Sequence, residues 1–267
     1  MTRSRWTTPA LGAVAGLALL LPAACGTSSE PGSSTSTGAG TSAPAASGVT
    51  VLAAASLTEA FTQIGKDYEA KSGQKVTFSF GSSATLATQI TQGAPADVFA
   101  AASPATMKTV TDAGAGGTPV NFVSNTLEIA VPAGNPGKVT GLADFADADK
   151  KIAICAPEVP CGAAAVKVFA AAKITPKPDT LEQDVKATLA KVSSDEVDAA
   201  LVYKTDVVAA GTKVEGINFP ESAQAVNEYP IATLKESKNA AGAQGFVDFV
   251  LSSDGQAVLI KAGFAKP

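Results

Sequence analysis

The sequence of 267 residues contains no histidine and only three cysteines. The absence of histidine excludes nucleophilic sites of the Ser-His-Asp and Cys-His types, because no imidazole is available as the base. It also excludes every metal site built on histidine, and three cysteines are too few for a four-cysteine zinc site. The chain therefore cannot form a catalytic or metal centre of these classes.

Basic residues are fewer than acidic residues. The chain has 20 Lys and Arg against 24 Asp and Glu, which gives a formal net charge of −4 and a sequence pI of about 5.0. This balance argues against a nucleic-acid partner, which favours a basic surface. An acidic protein also gains no long-range attraction for an anion, so local hydrogen-bond donors would have to hold one.

The apolar run at the N-terminus, Leu11–Leu21, is too short for a membrane span of roughly 20 residues. It follows Arg3 and Arg5 and precedes A-A-C-G, an arrangement typical of an export signal. The A-A-C-G segment resembles a lipobox, at which bacterial lipoproteins are cleaved and lipidated. We therefore predict a lipoprotein signal peptide over residues 1–24 and a lipid on Cys25, which would anchor the protein to the extracytoplasmic face of the cell membrane. The alternative is plain secretion.

Residues 25–48 contain a single charge, Glu30, and no large apolar side chain. Such a segment cannot bury enough surface to offset the entropy of ordering it, so we predict a disordered tether.

From Val49 onward, apolar stretches with strand and helix periodicity alternate. This order predicts an α/β fold with a parallel sheet and right-handed crossovers. We expect Gly211–Gly216 to be a loop. The predicted elements are Val49–Ala54 (strand), Leu57–Lys71 (helix), Val76–Phe80 (strand), Ala84–Thr91 (helix), Asp97–Ala101 (strand), Pro104–Asp112 (helix) and Asn125–Val131 (strand); Lys151–Cys155, Gly162–Ala172, Leu181–Lys191 and Ala199–Tyr203, which extend the pattern; and Tyr229–Leu234 (strand), Ala241–Leu251 (helix) and Gly255–Ala262 (helix).

Serines follow two of the predicted strands where helices begin. At the carboxyl ends of parallel strands, helix N-termini expose free N–H groups that hold anions. Ser56 lies at one such position, although S-L-T-E also fits a capping box, in which Ser56 would only cap its own helix. Of Ser82, Ser83 and Thr85, one must cap the second helix and the others are spare hydroxyls. Ser103, which is followed by proline, is interpreted as a structural cap.

Three motifs in the first half of the chain together indicate one protein family, although any one of them alone would be a weak signal. They are V-T-V-L-A-A-A-S-L-T-E-A-F, F-G-S-S-A-T-L-A-T-Q-I and G-A-P-A-D-V-F (Val49–Phe61, Phe80–Ile90, Gly93–Phe99). Four later motifs follow in matching order: A-P-E-V-P-C-G, D-V-K-A-T-L-A-K-V, L-V-Y-K-T-D and K-A-G-F (Ala156–Gly162, Asp184–Val192, Leu201–Asp206, Lys261–Phe264). With these motifs the chain resembles the substrate-binding proteins of bacterial molybdate ABC transporters.

The resemblance implies the type II periplasmic-binding-protein fold, in which two α/β lobes flank a ligand cleft and the chain crosses between them twice. We expect the crossings near Phe122–Leu127 and Tyr229–Leu234. Residues 49–127 plus 230–267 would then form lobe 1, and residues 128–229 would form lobe 2.

The resemblance also implies a ligand, molybdate or tungstate, with no cofactor and with molybdenum bound only as the oxyanion. Ser56 and Ser83 correspond to two serines that donate a hydroxyl and a backbone N–H. Cys161 and Val185 correspond to backbone N–H donors, and Tyr203 to a tyrosine whose phenol reaches the anion. From the residues alone, Tyr203 could equally be a core tyrosine and Val185 an ordinary helix-core residue.

No Lys or Arg occurs in the two serine motifs or in A-P-E-V-P-C-G. Lys186 and Lys204 adjoin Val185 and Tyr203, and we expect both lysines to be solvated. The charge of the ligand would then be neutralised by hydrogen bonds and helix ends.

Cys155 and Cys161 lie close together around two prolines in a chain predicted to be exported. An oxidising compartment favours pairing, and lipidation of Cys25 would leave an even number of cysteines. We predict a Cys155–Cys161 disulfide; the alternative is two free, partly buried thiols.

The resemblance further implies an ABC permease and its ATPase as partners, and we expect a monomer without enzymatic activity. Two alternatives stay open. The same fold could bind another tetrahedral oxyanion such as sulfate. More distantly, the protein could be a serine hydrolase of the Ser-Lys type, although neither serine motif contains a lysine.

Overall fold

The computed structural model describes residues 48–267. The predicted signal peptide, the predicted lipidation site Cys25 and the predicted tether up to residue 47 lie outside the described residues. Within residues 48–267, no helix has the length and apolar character needed to span a membrane.

Strands and α-helices alternate along the described residues, so the predicted α/β class is confirmed. The strands are β1 (Val49–Ala54), β2 (Val76–Gly81), β3 (Val98–Ala100), β4 (Val120–Asn125), β5 (Leu127–Pro132), β6 (Ile152–Cys155), β7 (Thr180–Glu182), β8 (Ala199–Tyr203), β9 (Val214–Ile217) and β10 (Asn227–Thr233). The helices are α1 (Thr58–Ser72), α2 (Ser83–Thr91), α3 (Pro104–Asp112), α4 (Pro160–Ala172), α5 (Val185–Ser193), α6 (Lys204–Ala210), α7 (Ala240–Leu251) and α8 (Ser253–Lys261).

The first sheet has the strand order β2-β1-β3-β10-β4. β1 is parallel to β2 and β3, while β10 is antiparallel to both of its neighbours. Side chains of β1 alternate between two apolar layers. Val51 and Ala53 pack with α1, α7 and α8, whereas Leu52 packs with α2 and α3. Burial on both faces explains why β1 is almost continuously apolar.

The second sheet repeats this plan with the order β7-β6-β8-β5-β9. β6 is parallel to β7 and β8, and β5 is antiparallel to β8 and β9. All residues of β8 are buried, and its core is completed by α4 and α5, which contribute Phe169 and Leu189 among others. Each sheet therefore directs the carboxyl ends of its parallel strands, and the helices that follow them, to one edge.

The chain changes sheets twice. Thr126 alone separates β4 from β5, so the first crossing lies within the predicted Phe122–Leu127. On the return, β9 ends at Ile217 and β10 begins at Asn227, whose backbone already pairs with β4. The second crossing therefore precedes the predicted Tyr229–Leu234, because the whole of β10 belongs to the first sheet.

Three strands differ from the sequence-based expectation. β4 was not predicted, β9 replaces much of the loop expected at Gly211–Gly216, and β7 precedes α5 within Leu181–Lys191. All three lie at sheet edges. An edge strand contacts fewer apolar neighbours than a central one, so its sequence carries a weaker apolar pattern.

The start of α4 is fixed covalently and sterically. Cys155 at the end of β6 forms the predicted disulfide with Cys161, the second residue of α4, with a Cα–Cα distance of 5.8 Å. The turn between them packs closely on the helix: a Cβ added to Gly162 would lie 1.8 Å from the Ala156 carbonyl oxygen. Only glycine therefore fits at position 162.

We expect Gly162→Ala to lower the free energy of unfolding by about 1–3 kcal/mol or more, because the methyl group of the alanine must displace the turn at Ala156. Gly141→Ala is the matched control, since its Cβ would meet nothing within 4 Å. The control should stay within about 0.5 kcal/mol of the wild type. Urea denaturation followed by circular dichroism measures both, and equal stability of the two variants would contradict the packing described.

Candidate functional site

The five residues predicted to bind a ligand line one pocket to which both sheets contribute. Ser56 and Ser83 follow strands of the first sheet, and Cys161, Val185 and Tyr203 belong to elements of the second. The cavity volume is about 20 Å³. One water needs roughly 10–15 Å³, so the pocket accepts only a small, compact ligand.

Ser56 lies in a short 3₁₀ turn, Ala55–Leu57, between β1 and α1. Leu57 occupies the N-cap position of α1 and no side chain caps that helix, so the capping-box interpretation of Ser56 is wrong. The Ser56 hydroxyl is buried, and its Oγ lies 2.9 Å from the phenol oxygen of Tyr229. Its side chain is therefore held at the pocket wall and is not used to begin the helix.

Ser83 is the first residue of α2, and Ser82 is its N-cap. The sequence predicts that one of Ser82, Ser83 and Thr85 caps α2 with its side chain. This prediction is wrong for Ser82, the residue at the N-cap position, because it makes no capping bond. The buried Oγ of Ser82 has no hydrogen-bond partner among the described residues. Ser83 Oγ accepts a hydrogen bond of 3.0 Å from the Ala102 N–H. Because the oxygen already accepts, the Ser83 hydroxyl is set to donate its own proton. The structural cap at Ser103 is confirmed, since its side chain accepts from Thr106 N–H.

Cys161 and Val185 bring backbone N–H groups from two helix N-termini. Pro160 is the first residue of α4 and has no N–H, so Cys161 provides the first donor of that helix. Val185 is the first residue of α5, and the Asp184 carboxylate caps the N–H groups of the two residues after it. The N–H of Val185 therefore has neither an intrahelical acceptor nor this cap.

Tyr203, at the end of β8, is 1% exposed. Its phenol oxygen accepts a hydrogen bond of 3.0 Å from Asn227 Nδ2. Burial, together with the neighbouring Tyr229 phenol and the Asp206 carboxylate, raises the Tyr203 pKa well above its usual value. The phenol therefore keeps its proton at every physiological pH and remains a donor.

Among residues 48–267, no basic side chain lines this pocket. Lys204 is exposed, as expected. The expectation of solvation is wrong for Lys186, whose Nζ lies 2.8 Å from Glu59 Oε2 and 3.1 Å from Oδ1 of the fully buried Asp206. Desolvation lowers the Lys186 pKa, but these two carboxylates outweigh it and raise the pKa above its usual value. Burial raises the Asp206 pKa to about 6, although Lys186 opposes the shift.

Sequence reasoning missed the residues behind the pocket wall. Tyr229, Asn227 and Ala102 contact the predicted donors Ser56, Tyr203 and Ser83 across long sequence separations. A spacing pattern cannot reveal such contacts, because each of them joins elements that meet only in the folded chain.

A larger cavity of about 500 Å³ lies near the amino ends of β1 and β3, away from the five predicted residues. Its buried carboxylate, Asp97, already accepts from the Thr50 N–H at 2.7 Å and the Ser237 hydroxyl at 2.5 Å. The polar group that could mark a site there is thus engaged in holding the fold.

Comparisons with known proteins identify the family and the fold of the chain. Residues 49–265 match the family model described as bacterial extracellular solute-binding protein. The molybdate-binding protein ModA of Mycobacterium bovis is 43% identical over 265 residues, which cover 98% of this chain and 100% of the relative.

Among solved structures, the substrate binding domain of a putative molybdenum ABC transporter from Clostridium difficile is 31% identical, has a TM-score of 0.62 and covers 82% of this chain and 98% of its own. The sulfate-binding protein SubI from Mycobacterium tuberculosis has a TM-score of 0.72 at 17% identity, with coverage of 82% and 87%, which shows a shared fold alone. The predicted type II periplasmic-binding-protein fold is confirmed. The chain therefore belongs to the bacterial extracellular solute-binding proteins, in the family of the molybdate-binding protein ModA.

Proposed function

We propose that this protein captures molybdate, and tungstate in the same way, outside the cytoplasm and delivers it to an ABC importer made of a permease and its ATPase. The observation that carries the proposal is the convergence of Ser56, Ser83, Cys161, Val185 and Tyr203 on one small pocket, which within the described part of the chain no basic side chain lines. The name of the Mycobacterium bovis relative supports the choice of molybdate over other small anions.

Hydrogen bonds and helix ends would neutralise the anion. The N-termini of α2, α4 and α5 meet at the pocket, and each carries a partial positive charge and free N–H groups. A hydrogen bond to a charged group contributes about 1.5–3 kcal/mol, so several are needed to offset the loss of the anion's hydration shell. The two serine hydroxyls and the Tyr203 phenol would add to the backbone donors.

Selectivity would follow from the same donors. The oxygens of Ser83 and Tyr203 each already accept a hydrogen bond from within the protein, which favours donation of their protons to a ligand. A fully deprotonated oxyanion suits such a site. Phosphate at neutral pH carries a proton that would face donors, and a buried unsatisfied group costs about 1–3 kcal/mol. Sulfate has the right charge but is smaller, so the size of the cavity would have to exclude it.

We also propose that the two sheets with their helices act as two lobes that close on the ligand, with the return crossing placed before Asn227. Lys186 Nζ in α5 contacts the carboxylate of Glu59 in α1 at 2.8 and 2.9 Å, so this ion pair joins the two lobes. Lys186 directly follows Val185, which places the ion pair beside a proposed ligand donor.

The remaining parts of the proposal concern location and assembly. A signal peptide over residues 1–24 and a lipid on Cys25 would hold a monomer on the extracytoplasmic face of the membrane, with residues 25–48 as the tether. The protein would be a binding protein and not an enzyme. Within the described residues, Ser56 and Ser83 have Tyr229 and Ala102 as hydrogen-bond partners and no lysine, which disfavours a Ser-Lys hydrolase.

A thermal-shift series with sodium molybdate, tungstate, sulfate and phosphate tests the function directly. A ligand at about 100 times its dissociation constant stabilises a protein by about 2.7 kcal/mol. We expect molybdate and tungstate to raise the Tm at micromolar concentrations and phosphate to leave it unchanged. A Tm that rises equally with phosphate, or with sulfate alone, would overturn the assignment.

We expect Tyr203→Phe to weaken molybdate binding by about 10- to 150-fold, because it removes one hydrogen bond to a charged ligand. Tyr68→Phe is the matched control, since its hydroxyl donates to the Gly242 carbonyl outside the pocket. Isothermal titration calorimetry measures both affinities. An unchanged affinity in Tyr203→Phe would exclude the phenol as a donor.

We expect Asp206 to make a pH-dependent contribution to stability, because burial raises its pKa. Its pKa is about 6 in the folded protein against 3.8 as its ordinary value, so the folded state binds more protons between these values. The contribution of Asp206 to the free energy of unfolding should therefore fall by up to about 3 kcal/mol as the pH rises from about 4 to 6. Asp206→Asn should abolish this fall, while the exposed Asp248→Asn should keep it. Urea denaturation at pH 4, 5, 6 and 7 measures the difference, and parallel profiles for wild type and Asp206→Asn would refute the assignment.

A further inference from the structure

Asn227 lies behind the pocket wall and does not itself line the pocket. It is the first residue of β10 and is 8% exposed. Its side-chain nitrogen donates two hydrogen bonds, one of 2.8 Å to the Ala102 carbonyl oxygen and one of 3.0 Å to the Tyr203 phenol oxygen. Any influence of Asn227 on a ligand therefore passes through these two neighbours.

The Ala102 carbonyl fixes which way the Asn227 amide faces. A carbonyl can only accept, so it requires the amide nitrogen and excludes Oδ1 from that position. The same nitrogen reaches Tyr203, so the phenol oxygen must act as the acceptor there. A phenol has a single proton, so with the amide nitrogen on one side of the oxygen that proton can point only toward the pocket or toward the neighbouring Tyr229 phenol, which also hydrogen-bonds with Tyr203.

Ala102, which accepts a hydrogen bond from Asn227 through its carbonyl, also contacts Ser83 through its N–H. This N–H donates to Ser83 Oγ at 3.0 Å, so the serine proton points away from Ala102. Asn227 thus connects a donor of the first sheet, Ser83, with a donor of the second, Tyr203. It does so at the point where the chain has just returned from one sheet to the other.

We propose that Asn227 is a positioning residue that directs the Tyr203 hydroxyl proton toward the bound oxyanion. The inference rests on the proposed function. Without the amide, the phenol proton can also turn toward position 227 and away from the ligand, and the Ala102 carbonyl loses its partner. Tyr203 then contributes less to binding although it remains in place.

A double-mutant cycle with sodium molybdate tests this role. We expect Asn227→Ala and Tyr203→Phe each to weaken binding by at least about 10-fold. Because both changes remove the same contribution, the double variant should bind within about 2-fold of Tyr203→Phe alone, and its loss of affinity should fall well short of the product of the two single losses. Asn121→Ala is the matched control, since that exposed amide pairs with Glu228 and should leave the affinity unchanged.

The outcomes separate the two proposals. If the wild type binds molybdate and the effects of the two substitutions multiply, Asn227 is not a positioning residue for Tyr203, while the proposed function stands. If the wild type binds none of the four oxyanions, both proposals fail. Urea denaturation without ligand checks the fold, with Asn227→Ser as a second, more conservative variant. Unfolding of both variants would make Asn227 a structural residue and would also contradict the inference.

Discussion

The proposed function depends on one constraint: a small, doubly negative ion has to be held without a positive side chain beside it. Water stabilises such an ion by reorienting around it, whereas a protein has to present fixed donors that are already oriented. The strand-to-helix connections supply them, because each places free N–H groups at the carboxyl edge of a sheet. The pocket lies where the edges of two sheets meet.

Much of the surrounding structure serves to fix those donors. The Cys155–Cys161 disulfide and the close approach at Gly162 hold the first turn of α4, which provides the Cys161 N–H. The hydroxyls of Ser56, Ser83 and Tyr203 are each held by a partner deeper in the protein. The positive charge of Lys186 is turned toward Glu59 and Asp206, where it joins the two halves of the molecule. In the proposed binding mode, basic charge contributes to closure of the cleft and uncharged groups face the ligand.

The sequence predicted most central strands and helices, because their apolar patterns record burial on both faces. The resemblance of its motifs to a known family also predicted residues that line the pocket, among them Ser56, Ser83 and Tyr203, which their positions at strand ends alone did not settle. The sequence missed the edge strands β4, β7 and β9, whose patterns are weak. It also missed the bond from Asn227 to the Ala102 carbonyl and the pairing of Lys186 with Glu59, since contacts across more than 100 residues leave no local spacing to read.

A crystal structure of the protein with molybdate tests the central claim most directly. The account predicts anion oxygens about 2.7–3.0 Å from the hydroxyls of Ser56, Ser83 and Tyr203 and from the N–H groups of Cys161 and Val185. It also predicts that no lysine or arginine nitrogen touches the ion. An ion bound outside this pocket, or one held directly by a basic side chain, would contradict the account.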